Sequence, residues 1–313
     1  MTKNKVPTRT GFGNGLLRLV EQRDDILVTA ADTYRSFAMQ DFVSRHPDRY
    51  FEFGIAEQNM MAASAAMATE GYTVFTVGYS AFLSMRALEQ MRTFVAYPNL
   101  NVKVVAGLSG LSGGTCGVTH QGTEDIPIVR SIPNFNLVYP ADAVATEKLL
   151  PAIAESKEPF YIKLGRSATP VIYSDEQEFT LGKAVVPREY GCRFVIVATG
   201  VCVCEAVEAA DILHSQGIDI SVIDMHTIKP LDLECIRQYA QQANAVLTVE
   251  DGSIHGGLGS AVAEVIADEG ISLEYFKRLG LHGFGTCGSI TQLLEFYHLD
   301  ARSMVDIIRT VLS

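Results

Sequence analysis

Short apolar runs of strand length, separated by stretches of helical length, recur along this chain, and that alternation limits its fold more than any other feature. Asp25–Ala30 (DILVTA), Thr73–Val77, Val102–Ala106, Leu137–Tyr139 and Phe160–Lys163 read as strands in the first half. Phe194–Thr199, Ile220–Asp224 and Ala245–Val249 read as strands in the second. Between them, Ala56–Ala68, Ala143–Ala154, Glu205–His214 and the stretch from the Gly256–Gly259 turn through Ala267 suit helices. Gly71 stands where a glycine commonly follows a helix C-terminus. Apolar strands alternating with helices build parallel sheets covered on their faces. The expected class is therefore α/β, with two domains that each hold a mostly parallel sheet flanked by helices. The polar stretch Ser174–Phe179 (SDEQEF) marks a linker, set at 174–187, between a domain over 1–173 and another over 188–313. A chain of 313 residues can fill two such cores. The halves are not copies of each other.

Hydrophobic residues at 48% and charged residues at 19% suit a globular protein. The net charge of −11 argues against a nucleic-acid surface, so an anionic substrate has to be held by a few local arginines. Residues 1–23 hold no signal-like apolar stretch, and no segment approaches the ~20 apolar residues of a membrane span, so a cytoplasmic protein is expected. The cysteines (Cys116, Cys192, Cys202, Cys204, Cys235 and Cys287) lack CxxC spacing. They are expected to be reduced and mostly buried thiols rather than zinc ligands.

Three segments carry candidate chemistry. In Phe51–Ala68 (FEFGIAEQNMMAASAAMA), Glu57 falls in the first turn of an apolar helix entered after Gly54. By itself that position says no more than that a carboxylate complements the helix dipole. In Val77–Gln90 (VGYSAFLSMRALEQ), the default place for Tyr79 and Phe82 is a core. The stretch Gly107–Gly122 is too glycine-rich and too long for a simple connection, and it ends in Thr119–Gln121 (THQ). A further glycine run, Gly256–Ser260 (GGLGS), fails the GxGxxG dinucleotide spacing because Val262 stands at the third small position.

FGIAEQNM and THQG resemble motifs of the transketolase family, and the resemblance runs over nearly the whole chain. It begins in that family's pyrimidine-binding domain and ends in its C-terminal domain, which includes MHTIKPLD (Met225–Asp232). The resemblance implies that Glu57 hydrogen-bonds the aminopyrimidine ring of thiamine diphosphate and drives loss of the thiazolium proton. An apolar helix start suits a carboxyl group that has to share a proton. The same resemblance implies that Tyr79 and Phe82 stack on that ring and that His120 faces substrate hydroxyls and assists proton transfer. It further places Arg9, Ser36 and Arg166 at the substrate phosphate, and Asp32 near the cofactor across a subunit interface.

The sequence also departs from the family. Asn59 stands in place of a histidine two residues after Glu57, and Leu108 replaces a histidine often used for the phosphate. Cys116 replaces an aspartate that accepts a bond from a substrate hydroxyl. Members that act alone carry an earlier domain with GDG and a later Asn, which hold Mg²⁺ against the cofactor diphosphate. No GDG occurs in these 313 residues. The resemblance thus implies a split transketolase that needs an N-terminal partner subunit in an α2β2 assembly, with the Mg²⁺ ligands on the partner. Its reaction is transfer of a two-carbon ketol unit from a ketose phosphate to an aldose. The β subunit of a 2-oxo-acid dehydrogenase and a non-catalytic regulatory subunit are the alternative readings.

Overall fold

The computed structural model describes residues 4–312. Apolar runs that sequence alternation assigned to strands form two separate sheets. The first has the order Thr227–Lys229, Asn136–Val138, Phe160–Lys163, Val102–Gly107, Thr73–Tyr79, Ile26–Ala30, Tyr50–Glu52. All of its neighbours are parallel except Thr227–Lys229, which pairs antiparallel with Asn136–Val138. The second has the order Tyr275–Leu281, Ala245–Ser253, Phe194–Ala198, Ser221–Asp224, Val185–Glu189, with only the last strand antiparallel. Helices cover both sheets, as apolar parallel strands require. The chain is thus the two-domain α/β protein expected. No helix among the described residues is long and apolar enough to cross a membrane.

Several contacts tie the domains together. Thr227–Lys229, from the C-terminal half, supplies the edge strand of the first sheet. The end of strand Ala245–Ser253 reaches the glycine-rich stretch of the first domain. There Asp251 Oδ2 accepts from the Leu111 N–H and from Tyr139 Oη, each at 3.2 Å. The Ser253 N–H donates to the Thr123 carbonyl at 2.7 Å. Beside this junction Lys163 and Asp125 form a fully buried ion pair at 2.8 Å. Burial alone would push the Lys163 ammonium down, but the carboxylates of Asp125, Asp251 and Glu250 outweigh it and hold the ammonium above its ordinary range. Removing one member of such a pair leaves the other charge stranded. Lys163→Met is expected to lower the unfolding free energy by about 3–5 kcal/mol in urea titrations. A loss under about 1 kcal/mol would show that the pair contributes only what surface pairs do.

The glycine run Gly256–Ser260 has a structural use. Glu250 places both carboxylate oxygens on the Leu258 and Gly259 N–H groups, each at 2.9 Å, at the start of helix Leu258–Asp268. A Cβ on Gly257 would lie 2.0 Å from Glu250 Oε2. The helix N-terminus therefore receives an internal carboxylate.

The cysteines differ from expectation. None of the six forms a disulfide among the described residues, but only Cys202 and Cys204 are buried, while Cys116, Cys192 and Cys287 are exposed and Cys235 is half-buried. Apolar surroundings supported burial only for the Cys202 and Cys204 pair, which lies in helix Cys202–His214. Of the three exposed thiols, Cys192 and Cys287 sit in loops and Cys116 ends the 3-10 turn Gly110–Cys116.

Candidate active site

Parallel α/β sheets place ligands at the carboxyl ends of their strands, where the loops converge. The first sheet follows that rule with the residues singled out in the sequence. Asp32 and Ser36 follow strand Ile26–Ala30, and Glu57 follows Tyr50–Glu52. Tyr79 ends Thr73–Tyr79, and Phe82 opens the next turn. Cys116 and His120 lie beyond Val102–Gly107, and Arg166 lies beyond Phe160–Lys163. Arg9 is in the first turn of helix Thr8–Gln22.

Helix Glu57–Thr69 begins with Glu57 and buries Met60, Met61, Ala65 and Ala68. That packing holds the Glu57 side chain out of water, with 2% of the residue exposed. Its Oε2 accepts from Arg86 Nη1 at 2.7 Å. Oε1 has no hydrogen-bond donor among the described residues. Arg86 also lies over the Phe82 ring, its guanidinium carbon 4.5 Å from the centroid. The turn that carries both residues, Phe82–Arg86, is π-helical and closes with the Ala87 N–H on the Phe82 carbonyl at 3.1 Å.

Three rings converge beside Glu57. The Tyr79 and Phe82 centroids are 6.1 Å apart, and the His120 ring lies 5.2 Å from Phe82 and 6.1 Å from Tyr79. His120 Nδ1 shares a 2.9 Å hydrogen bond with Thr119 Oγ1. Tyr79 and Phe82 are thus not sealed in the core, and each presents its ring to the imidazole.

The anion candidates also gather. Ser36 Oγ is 2.9 Å from Tyr79 Oη, and Arg9 Nη1 donates to the Ser36 carbonyl at 2.8 Å. Burial, followed by the neighbouring Arg166 guanidinium, pulls the Arg9 guanidinium below its ordinary range. Two close cations raise the free energy of the site until an anion joins them. Arg166 Nη1 donates to Cys116 Sγ at 2.9 Å, which ties the family's missing aspartate position to this pair.

Asp32 stands apart. It is exposed, has φ of 54°, and bonds through its N–H to Glu52 Oε1 at 2.8 Å rather than to the ring cluster. Leu108 is buried with φ of 53° and brings no polar atom to the site.

Two neighbours of the cluster were not singled out in the sequence. Arg86 falls inside the quoted VGYSAFLSMRALEQ segment, but its spacing from Phe82 gives no hint of a link to Glu57. Gln121 is buried, and its amide donates to the Thr286 carbonyl at 2.9 Å, so the C-terminal domain grips the loop beside His120.

Comparison with known proteins establishes the family and the fold. Residues 4–171 match the family model for the transketolase pyrimidine-binding domain, and residues 182–304 match that for the transketolase C-terminal domain. A putative transketolase C-terminal section from Methanocaldococcus jannaschii is 42% identical over 299 residues, covering 95% of this chain and 93% of that protein. One of the subunits of an apulose-4-phosphate transketolase from Phocaeicola vulgatus is 35% identical over 312 residues, covering 94% and 100%. A solved split-gene transketolase, described as an inactive β4 tetramer, superposes with a TM-score of 0.89 at 36% identity and covers 97% of this chain and 98% of that one. These matches place the chain with the transketolases rather than with the β subunits of 2-oxo-acid dehydrogenases. The chain belongs to the transketolase family, as a subunit of the split type built from the pyrimidine-binding and C-terminal domains.

Proposed function

We propose that this chain forms half of a thiamine-diphosphate site, completed by a separate N-terminal subunit in an α2β2 assembly, and that it transfers two-carbon ketol units between sugar phosphates. The observation that carries the reading is the gathering of Glu57, Tyr79, Phe82 and His120 at the carboxyl ends of the first sheet's strands, with Arg9 and Arg166 alongside. The residues fit the cofactor's aminopyrimidine ring. A carboxylate shielded from water keeps one oxygen without a donor, and aromatic faces stand beside it. When bound, the cofactor supplies the carbon that accepts the ketol unit.

Glu57 would hold the ring and share a proton with it, with Tyr79 and Phe82 against its faces. Asp32, which is exposed, would face the cofactor across the subunit interface. The Mg²⁺ and diphosphate ligands belong to the partner. His120 would move a proton at a substrate hydroxyl. Arg9, Ser36 and Arg166 take the anionic end of the substrate.

Two relatives support the need for a partner. The P. vulgatus protein is named as one subunit of its transketolase, and the split-gene structure is an inactive tetramer of β chains. The test is an assay of the reconstituted pair. Ketol transfer from a ketose phosphate to an aldose, without carbon dioxide release, is the expected result. Consumption of a 2-oxo acid with carbon dioxide release would overturn the reading.

Cys116 sharpens the donor. A thiol is a poor acceptor where family members carry an aspartate, and a charge-assisted bond lost there is worth roughly 1.5–3 kcal/mol. The proposed donor differs from xylulose 5-phosphate near its third carbon, in stereochemistry or branching. Cys116→Asp is expected to raise kcat/KM for xylulose 5-phosphate about ten- to a hundredfold and to lower it for the branched or epimeric donor. A wild type that already prefers xylulose 5-phosphate, with a variant that changes nothing, would mark Cys116 as drift.

A further inference from the structure

We infer that Arg86 is a positioning residue for the proposed cofactor site, setting both the Glu57 carboxylate and the Phe82 ring. The inference rests on the reading in which Glu57 and Phe82 receive the aminopyrimidine. Arg86 is the residue that touches both. Its Nη1 holds Glu57 Oε2 at 2.7 Å, and its guanidinium lies 4.5 Å from the Phe82 centroid. With Oε2 fixed, the carboxylate cannot rotate freely, and Oε1 is left for an incoming donor.

The backbone is shaped to make these contacts. On a regular α-helix residue 86 would sit about 40° past residue 82 around the axis, but here the turn is widened by one residue into a π-helix. Single π turns are rare and occur frequently at functional sites. Here the widened turn lets Arg86 fold back over Phe82 while reaching across to the adjacent helix Glu57–Thr69.

Stability does not explain the arrangement well. The Arg86 side chain is 45% exposed, so water screens most of what the ion pair contributes to folding. Geometry is the larger gain. Misplacing a reacting group by about 1 Å can cost about a hundredfold in rate.

The experiment uses the assembled pair of subunits with thiamine diphosphate and Mg²⁺, comparing wild type, Arg86→Met and Arg86→Lys. Calorimetry gives the cofactor Kd, and deuterium exchange of the cofactor C2 proton at saturation gives the activation rate. Arg86→Met is expected to weaken binding about tenfold and to slow exchange about ten- to a hundredfold. Arg86→Lys restores the charge without the planar stack and is expected to recover part of both. Tighter cofactor binding in Arg86→Met would overturn the inference by showing that the guanidinium competes with the ring. Unchanged binding and exchange, with only a lower melting temperature, would overturn it by showing a purely structural pair. If the wild-type pair itself neither binds the cofactor nor exchanges its proton, the cofactor reading falls and takes this inference with it.

Discussion

Glu57→Gln, reconstituted with the partner subunit, is expected to fold as the wild type does and to lose about a hundred- to ten-thousandfold in ketol transfer. The change is nearly isosteric, so the helix Glu57–Thr69 keeps its packing, including the buried Met60 and Met61. The amide oxygen can still accept from Arg86, and Arg86 itself is half in water, so little stability is lost. What disappears is the ability to share a proton with a ring nitrogen, because a neutral amide neither takes up nor gives up a proton near neutrality. Two measurements separate these effects. The melting temperature is expected to stay within a few degrees of the wild type. Deuterium exchange at the cofactor C2 position, followed in the reconstituted pair, is expected to slow with the overall rate. If the variant exchanges that proton as fast as the wild type, Glu57 only complements the helix dipole, and the proposed role is lost.

The strands were legible because they are apolar on both faces. Phe160–Lys163 has the span expected, and Thr73–Tyr79 and Ala245–Ser253 extend beyond the stretches read from the sequence. Helix Thr8–Gln22 was not legible, because Gly11, Gly13 and Gly15 depress helix propensity there. Its glycines serve tertiary packing instead. A Cβ on Gly11 would lie 2.2 Å from the Ala143 carbonyl, and one on Gly13 would lie 2.4 Å from that of Ala38. Strand Tyr275–Leu281 was missed because it lies at the sheet edge, where half-buried positions blur the apolar pattern. The site residues were visible only through the family motifs. No periodicity distinguishes Tyr79 and Phe82 from core aromatics until the loops are folded. Arg86 remained hidden because a π turn leaves no mark in residue spacing. The crossing of Thr227–Lys229 into the first sheet was hidden for a related reason, since strand partners are set by tertiary packing and not by local sequence.

The largest effect is expected from the partner. The purified chain alone should bind thiamine diphosphate weakly and show no ketol transfer, at least about a thousandfold (about 4 kcal/mol in barrier) below the reconstituted pair. The reason lies in what surrounds the proposed ring site. Ile55, two residues before Glu57, is 75% exposed, and Met85, beside Arg86, is also exposed. Val118, two residues before His120, is exposed as well. Apolar side chains gathered around polar chemistry mark a surface that another protein covers. Covering them gains roughly 25 cal/mol per Å² of apolar area and excludes water from the carboxylate and imidazole, which strengthens their hydrogen bonds. In this reading binding of the partner and binding of the cofactor are linked, because each completes the other's site. Titrating the partner into a fixed concentration of this chain should therefore raise cofactor affinity and ketol transfer together, with one midpoint. Charged substitutions on the rim, such as Ile55→Asp, should shift that midpoint to higher partner concentration without altering the rate at saturation. Full activity from this chain alone, at saturating cofactor and with no second polypeptide present, would sink the split-site reading.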